Sequence, residues 1–284
     1  MSRPPAARAA ANVQSLPLFW RDPALPFLEV RTVQDGRQVC YARHSHEHFS
    51  IGAITGGVSS YLNEQRRHDV AGGAVVLMNP GEVHACNPLA DQPWSYHMLY
   101  VDTGWLAGVQ HEVGLDANRD FHCFHHRLSL DGGLYRGLLQ LVSACHDGTL
   151  PTLGRQEAAQ LFFADLQRHL QPACRVEAGP HQRVQRVADY IHAHCADDIS
   201  LPDLCTASAL SASYLIRAFR QRYHMTPHAF LLNCRIQRSK PLLRRGQPIA
   251  QVAQALGFAD QAHFQRTFKR LVAATPGQYR CSGG

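Results

Sequence analysis

The stretch SASYLIRAFRQRYHMTPHAF, beginning at Ser211, recurs 49 residues later as DQAHFQRTFKRLVAATPGQYR, beginning at Asp260. Leu215 pairs with Phe264, Arg217 with Arg266, Phe219 with Phe268, and Arg220 with Lys269. Thr226-Pro227 pairs with Thr275-Pro276, and Phe230 with Tyr279. A sustained offset means one supersecondary unit used twice. The C-terminal third is therefore constrained to two copies of one helical hairpin.

Each copy reads as two helices and a tight turn. In the first, Ser200 caps, Pro202 sits in the first turn, and Asp203 three residues on nearly completes a capping box. Leu201, Leu204 and Leu210 supply the buried side. Ser211 caps the next helix, with Leu215 and Phe219 inward and Ser213, Ile216, Arg217, Arg220 and Gln221 outward. In the second copy Pro248 opens a helix carrying Ile249, Val252 and Leu256, and Gly257 stops it. Asp260 then caps a helix with Phe264 and Phe268 inside, leaving Gln261, Ala262, Gln265, Arg266 and Lys269 outside. A short helix, a turn and a helix with outward Arg and Gln form a helix-turn-helix proposal. The chemistry suits base edges: Arg donates twice to guanine, Gln pairs with adenine, and Ile or Ala touches a thymine methyl.

Charge supports that reading. Residues 181–284 hold 14 Arg and Lys against 5 Asp and Glu, a net of +9, whereas residues 1–180 carry −3. A basic third on a slightly acidic body is the footprint of a nucleic-acid module joined to something else. The 284 residues suffice for two domains. No secretory signal opens the chain, and no apolar run is long enough to cross a membrane. The nine cysteines include no C-x-x-C, so unpaired thiols in a reducing cytoplasm are expected.

ISLPDLCTASALSASYLIRAFRQRYHMTPHAFLLNCRIQRSKPLLRRG, followed by IAQVAQALGFADQAHFQRTFKRLVAATPGQYR, resembles the DNA-binding domain of AraC/XylS-type transcription regulators over about residues 183–281. The resemblance implies two helix-turn-helix units flanking a linker helix, here roughly Pro227 to Leu243, with recognition helices in successive major grooves. It places Ser213, Ile216 and Arg217 against bases in the first unit. In the second it places Gln261, Ala262, Gln265 and Arg266. His224 and Ala273 stand where the family has glycine, and Pro241 removes a backbone donor late in the linker helix, predicting a kink or an early end.

The N-terminal body alternates short apolar runs with turn residues. FSIGAIT, AVVLMN and SYHMLYVD read as strands, and Asn79-Pro80-Gly81-Glu82 as a type II turn. Several such strands suggest a small barrel. LYRGLLQLVSACHDG and QEAAQLFFADLQRHL carry helical spacing; the stripe Ala159, Phe162, Phe163, Leu166 and Leu170 either packs on the barrel or pairs two subunits. The body also resembles the family's cupin-like sensor domain. In HSHEHFS, residues 44–50, strand alternation would set His44, His46 and His48 on one face, meeting His84 inside. Three readings stand: an effector pocket, a divalent-metal site built on His44, His46 and His84, and a half-exposed strand. The carboxylate that metallocupin enzymes carry after H-x-H is missing, with Ser50 and Ile51 in its place.

The expectation is a two-domain α+β protein: an arm at 1–19, a cupin-like sensing and dimerisation domain at 20–171, a linker at 172–182 and the DNA-binding domain at 183–284. It is a non-enzymatic regulator that needs no cofactor. Its partners would be operator DNA, a small-molecule effector, RNA polymerase and a second copy of itself, with no membrane. The alternative is a metallocupin oxygenase or isomerase with a basic helical appendage.

Overall fold

The computed structural model describes residues 17–89, 92–114, 120–170 and 182–281. The expected linker, apart from Gln182, lies outside the described residues, as does the expected arm before residue 17.

The N-terminal half is built from β1 (Leu18–Arg21), β2 (Leu28–Val33), β3 (Phe49–Asn63), β4 (Arg66–Ala71), β5 (Val75–Met78), β6 (His84–Pro88), β7 (Trp94–Val101) and β8 (Leu128–Ser129). The organising strand is β3, 15 residues long. Its first half pairs with β5 and β7 and its second half with β4 and β6, all antiparallel. A register shift between Ile54 and Gly56 bends it where it passes from one set of partners to the other. The three expected strands coincide with the first half of β3, with β5 and with β7 to within one residue at their ends. The expected turn is present, with Gly81 at φ 78° and the Glu82 amide donating to the Asn79 carbonyl.

Helices α1 (Thr103–Glu112), α2 (Gly132–His146) and α3 (Thr152–His169) cover one side of the sheet. The stripe on α3 packs inward: Phe163 and Leu166 are fully buried with Leu138 and Phe49 in one core. Burial of each such side chain contributes ~1.5–3 kcal/mol. That stripe is therefore spent on the fold. Outward, α3 presents Leu153 and Leu161.

The C-terminal half is all helical: α4 (Gln182–His194), α5 (Leu201–Ser208), α6 (Ala212–Tyr223), α7 (Pro227–Arg244), α8 (Ile249–Ala255), α9 (Gln261–Val272) and α10 (Pro276–Cys281). The Ser200–Asp203 capping box forms, and Asp260 caps α9 through the His263 amide. Ser211 precedes α6 without a side-chain capping bond. Leu201 differs from expectation; it opens α5 on the solvent side while Leu204 is buried. Pro241 does not end α7, which runs on to Arg244 because the proline lies in its last turn. From α7, Arg235 donates to the Cys195, Asp197 and Gly257 carbonyls, tying the two units together. Gly257 has φ 68°, and a Cβ there would stand 2.5 Å from the Ala196 oxygen, so the backbone shape and the packing both demand glycine.

The two halves are docked. Phe19 of β1 enters the core of the second unit, Val83 that of the first, and Ala273 packs against the sheet's own core.

Candidate nucleic-acid interface and effector pocket

The outward faces of α6 and α9 carry the residues expected to read bases. Ser213, Arg217, Arg220 and Gln221 on α6 are exposed, and Ile216 is half-buried. On α9, Gln261, Ala262, Arg266 and Lys269 are exposed and Gln265 is half-buried. Leu215, Phe219, Phe264 and Phe268 face inward and are fully buried, so the amphipathic split follows the repeat. Among the described residues no carboxylate pairs with Arg217, Arg220, Arg266 or Lys269; Arg217 only overlies the Tyr214 ring at 5.8 Å. Unneutralised cations on an exposed helix face are free to meet phosphates and base edges.

HSHEHFS does not form a strand along its length. β3 starts at Phe49, and His44 reaches His84 through an isolated bridge in which each amide donates to the other's carbonyl. His44, His46 and His84 do converge, with ring centroids 4.4 Å (44–84), 4.8 Å (46–84) and 6.2 Å (44–46) apart. His48 does not join them. The chain turns at Glu47 so that the His46 Nδ1 meets the His48 carbonyl, and the His48 ring goes to the surface.

The three convergent rings share one tautomer. Each Nδ1 lies 2.9 Å from a carbonyl, of Ala42, His48 and Glu82 respectively. A carbonyl only accepts, so Nδ1 carries the proton and Nε2 is the acceptor, which in His46 lies 3.3 Å from the Ser50 hydroxyl. Burial, then the neighbouring His84 ring, and then Lys240 hold His46 well below the usual histidine range. Burial first, then His84, do the same to His44. Burial, reinforced by Lys240, brings His84 down to about 4. The cluster is neutral at physiological pH. As to metal, the residues do not fit: among the described residues no three His, Cys, Asp or Glu side chains are arranged to hold an ion.

The sheet interior around this cluster is almost filled. Trp94, Tyr96 and Met98 leave a space of about 20 Å³, enough for a water and too small for a metabolite. The roomy cavity is next door, about 350 Å³, between the sheet domain and α7. His46, His48, Tyr100 and Glu29 line one side and Gln237, Lys240 and Arg244 the other. The intervening Ser45 explains how these walls are held. It points away from the histidines, and Asn233 and Gln237 of α7 both donate to its carbonyl at 3.0 Å.

Lys240 was not recognisable from sequence. Its ammonium sits 5.8 Å above the Tyr100 ring and has no hydrogen-bond or ion-pair partner among the described residues. Burial, with Arg244, Arg31 and Arg21 nearby, outweighs the pull of Glu29 and lowers it to about 8. Behind it Arg31, 1% exposed, donates to the Val272 carbonyl at 2.7 Å, while its Nε and Nη2 meet no acceptor at bonding geometry. Burial opposes its charge, and the surrounding Tyr41, Tyr96 and Tyr100 hydroxyls more than offset that. Neither cation has a carboxylate bonded to it, and the carboxylates in the cavity wall are Glu29, Glu47 and Asp102.

Known proteins share both halves. A family described as an AraC-like ligand binding domain matches residues 27–163, and a helix-turn-helix domain family matches residues 204–282. The chain is 29% identical to the Msm operon regulatory protein of Streptococcus mutans, over 82% of this chain and 84% of that one. It is 26% identical to the raffinose operon transcriptional regulatory protein RafR of Pediococcus pentosaceus, over 68% and 70%. Among solved structures, unsaturated fatty acid bound ToxT of Vibrio cholerae shares the fold at a TM-score of 0.55 and 14% identity, covering 85% of this chain and 89% of that one.

Proposed function

Since the chain belongs by both of its domains to the AraC/XylS-type transcription regulators, we propose that it binds its operator through α6 and α9 and answers to an organic anion held between its domains. The DNA contacts of this reading are Ser213, Ile216, Arg217, Arg220 and Gln221 in one half-site. In the other they are Gln261, Ala262, Gln265, Arg266 and Lys269. Their exposure and their freedom from carboxylates support it.

The observation that carries the effector's class is Lys240, an ammonium facing a 350 Å³ cavity without an anionic bond partner. A carboxylate or phosphate there gains a charge-assisted hydrogen bond and restores the lysine's proton affinity. His46, His48 and Tyr100 provide polar positions on the opposite wall. His44 and His84 act from behind, fixing His46. That a neighbour of the same fold carries a fatty acid agrees with this reading.

The reading extends to a homodimer through the outer face of α3, where Leu153 and Leu161 are exposed. RNA polymerase is its further partner, and the compartment is the cytoplasm, which suits buried thiols such as Cys234, pushed up to about 12 by burial. No helix among the described residues is long and apolar enough to cross a membrane. The metallocupin alternative finds no support in the relatives or in the arrangement of the histidines.

The test is thermal unfolding of the full chain with a panel of organic acids and their neutral amides. A true effector at 100 times its Kd adds ~2.7 kcal/mol of stability. Acids should stabilise the wild type and not Lys240→Met. Equal stabilisation by the amides, or an undiminished response in Lys240→Met, overturns the reading.

A further inference from the structure

The outward helix of each copy ends in a residue of left-handed conformation: His224 at φ 53° closes α6, and Ala273 at φ 52° closes α9. Glycine takes this conformation freely, and a side chain resists it. A side chain stands at both equivalent positions, and both side chains meet the sheet domain.

At the first cap, the turn between β3 and β4 reaches His224. The Gln65 amide donates to His224 Nδ1 at 3.4 Å, and Glu64 Oε1 lies 4.0 Å from its Nε2. That turn is held by the Glu64 amide donating to the Val83 carbonyl at 2.7 Å, and Val83 itself is buried in the core of the first unit. At the second cap, Ala273 packs, as Tyr41 does, against the sheet-domain cluster containing Tyr96. The last carbonyls of α9 are filled from the sheet domain: Arg31 Nη1 donates to Val272 at 2.7 Å and the Ala42 amide to Arg270 at 3.0 Å.

We infer that the sheet domain clamps both recognition helices by their C-terminal caps and thereby sets the half-site spacing the protein reads. The clamp does not cover the DNA face. Recognition helices of this kind meet bases with their N-terminal residues, and Ser213, Gln261 and Ala262, at those ends, remain exposed. Two grips on one body add to the tie that Arg235 of α7 makes between the units in fixing the pose of α6 relative to α9. His224, Ala273 and Arg31 are thus positioning residues, acting on DNA through the helices they hold. This inference rests on the assignment of α6 and α9 as the recognition helices and is independent of the effector's identity.

The experiment uses the full chain and a duplex selected by the wild type from a randomised pool, with one or two base pairs then inserted between its half-sites. Each inserted pair moves the half-sites ~3.4 Å apart and rotates one about the other. The wild type should lose affinity about thirtyfold on a two-base-pair insertion, the order of a base pair or two misread. His224→Gly with Ala273→Gly keeps the left-handed caps but removes the side chains, and should lose less than about threefold. Glu64→Gly with Gln65→Ala, on the exposed turn, releases α6 from the other side without altering the helical domain and should also flatten the profile. Wild-type spacing profiles in both variants overturn the clamp. Arg266→Ala on the same duplex keeps the two failures apart: if it changes neither affinity nor preference, the helix assignment is what has failed.

Discussion

Replacing Lys240 by methionine should make the ligand-free protein more stable. The ammonium is lowered from 10.5 to about 8 by burial and by Arg244, Arg31 and Arg21, with Glu29 recovering only part. At ~1.4 kcal/mol per pH unit, holding this charge in the empty fold costs about 3 kcal/mol. The folded state binds the proton less tightly than the unfolded chain does. The cost is therefore full below pH 8, shrinks between about 8 and 10.5, and is gone above. Lys240→Met keeps most of the unbranched side chain, removes the charge, and should gain about 2–3 kcal/mol at pH 7. Its stability should also lack the rise that the wild type shows between pH 8 and 10. Urea unfolding of both proteins at pH 7, 8.5 and 10 measures this. A Lys240→Met protein less stable than wild type at pH 7, or one whose pH profile matches it, refutes the reasoning. A bound anion returns the lysine toward 10.5, so its affinity should be level below pH 8 and fall toward tenfold per unit above it.

Gly257→Ala combines a left-handed penalty of ~1–2 kcal/mol with the loss of an Arg235 bond worth ~1.5–3 kcal/mol, since the new Cβ would stand 2.8 Å from Arg235 Nη2. Urea titration should show a loss of about 3–5 kcal/mol, and a loss below 1 would mean that the loop yields. Arg266→Ala should cost ~1–3 kcal/mol at one or two positions of one half-site, and Lys269→Ala should weaken all sequences alike and lower the salt slope by about one. Competition binding over single-base variants separates these patterns. His46→Ala should abolish the effector response while DNA affinity stays within about threefold, the sites being distant; a reporter that still responds would take His46 out of the pocket.

Much of the helical half was legible because its signals are local. Ser200 and Asp203, Asp260 and Gly257 act within a turn of themselves, and an amphipathic helix declares its buried face through i, i+4 pairs such as Leu215 and Phe219. Repetition doubled each signal. The strands at 49–55, 74–79 and 95–102 were legible for the same reason. The long second half of β3 was not, because its Gly-Gly-Val-Ser-Ser run has weak strand preference, although its hairpin partner β4 follows after two residues. Leu201 misled because periodicity says which residues share a face and not which end of it meets a neighbour.

The histidine stretch shows the other limit. Alternation on a strand would have aimed His44, His46 and His48 together; the bridge to His84 and the turn at Glu47 send the third away, and only the folded chain supplies both. The odd residue, Ser45, turned out to be the one that touches the DNA-binding half, through Asn233 and Gln237. Those partners sit 188 and 192 positions later, so no single segment could announce a cavity made by both. Yet that placement supplies the coupling a regulator needs. The cavity's far wall is α7, which joins the two helix-turn-helix units, and a ligand held there as proposed would meet Lys240 and Arg244 of that helix together with His46 of the sheet domain. A ligand shifts an equilibrium only through a difference in affinity between two states. A site whose walls belong to two bodies has that difference built in, because any change in their docking changes the site.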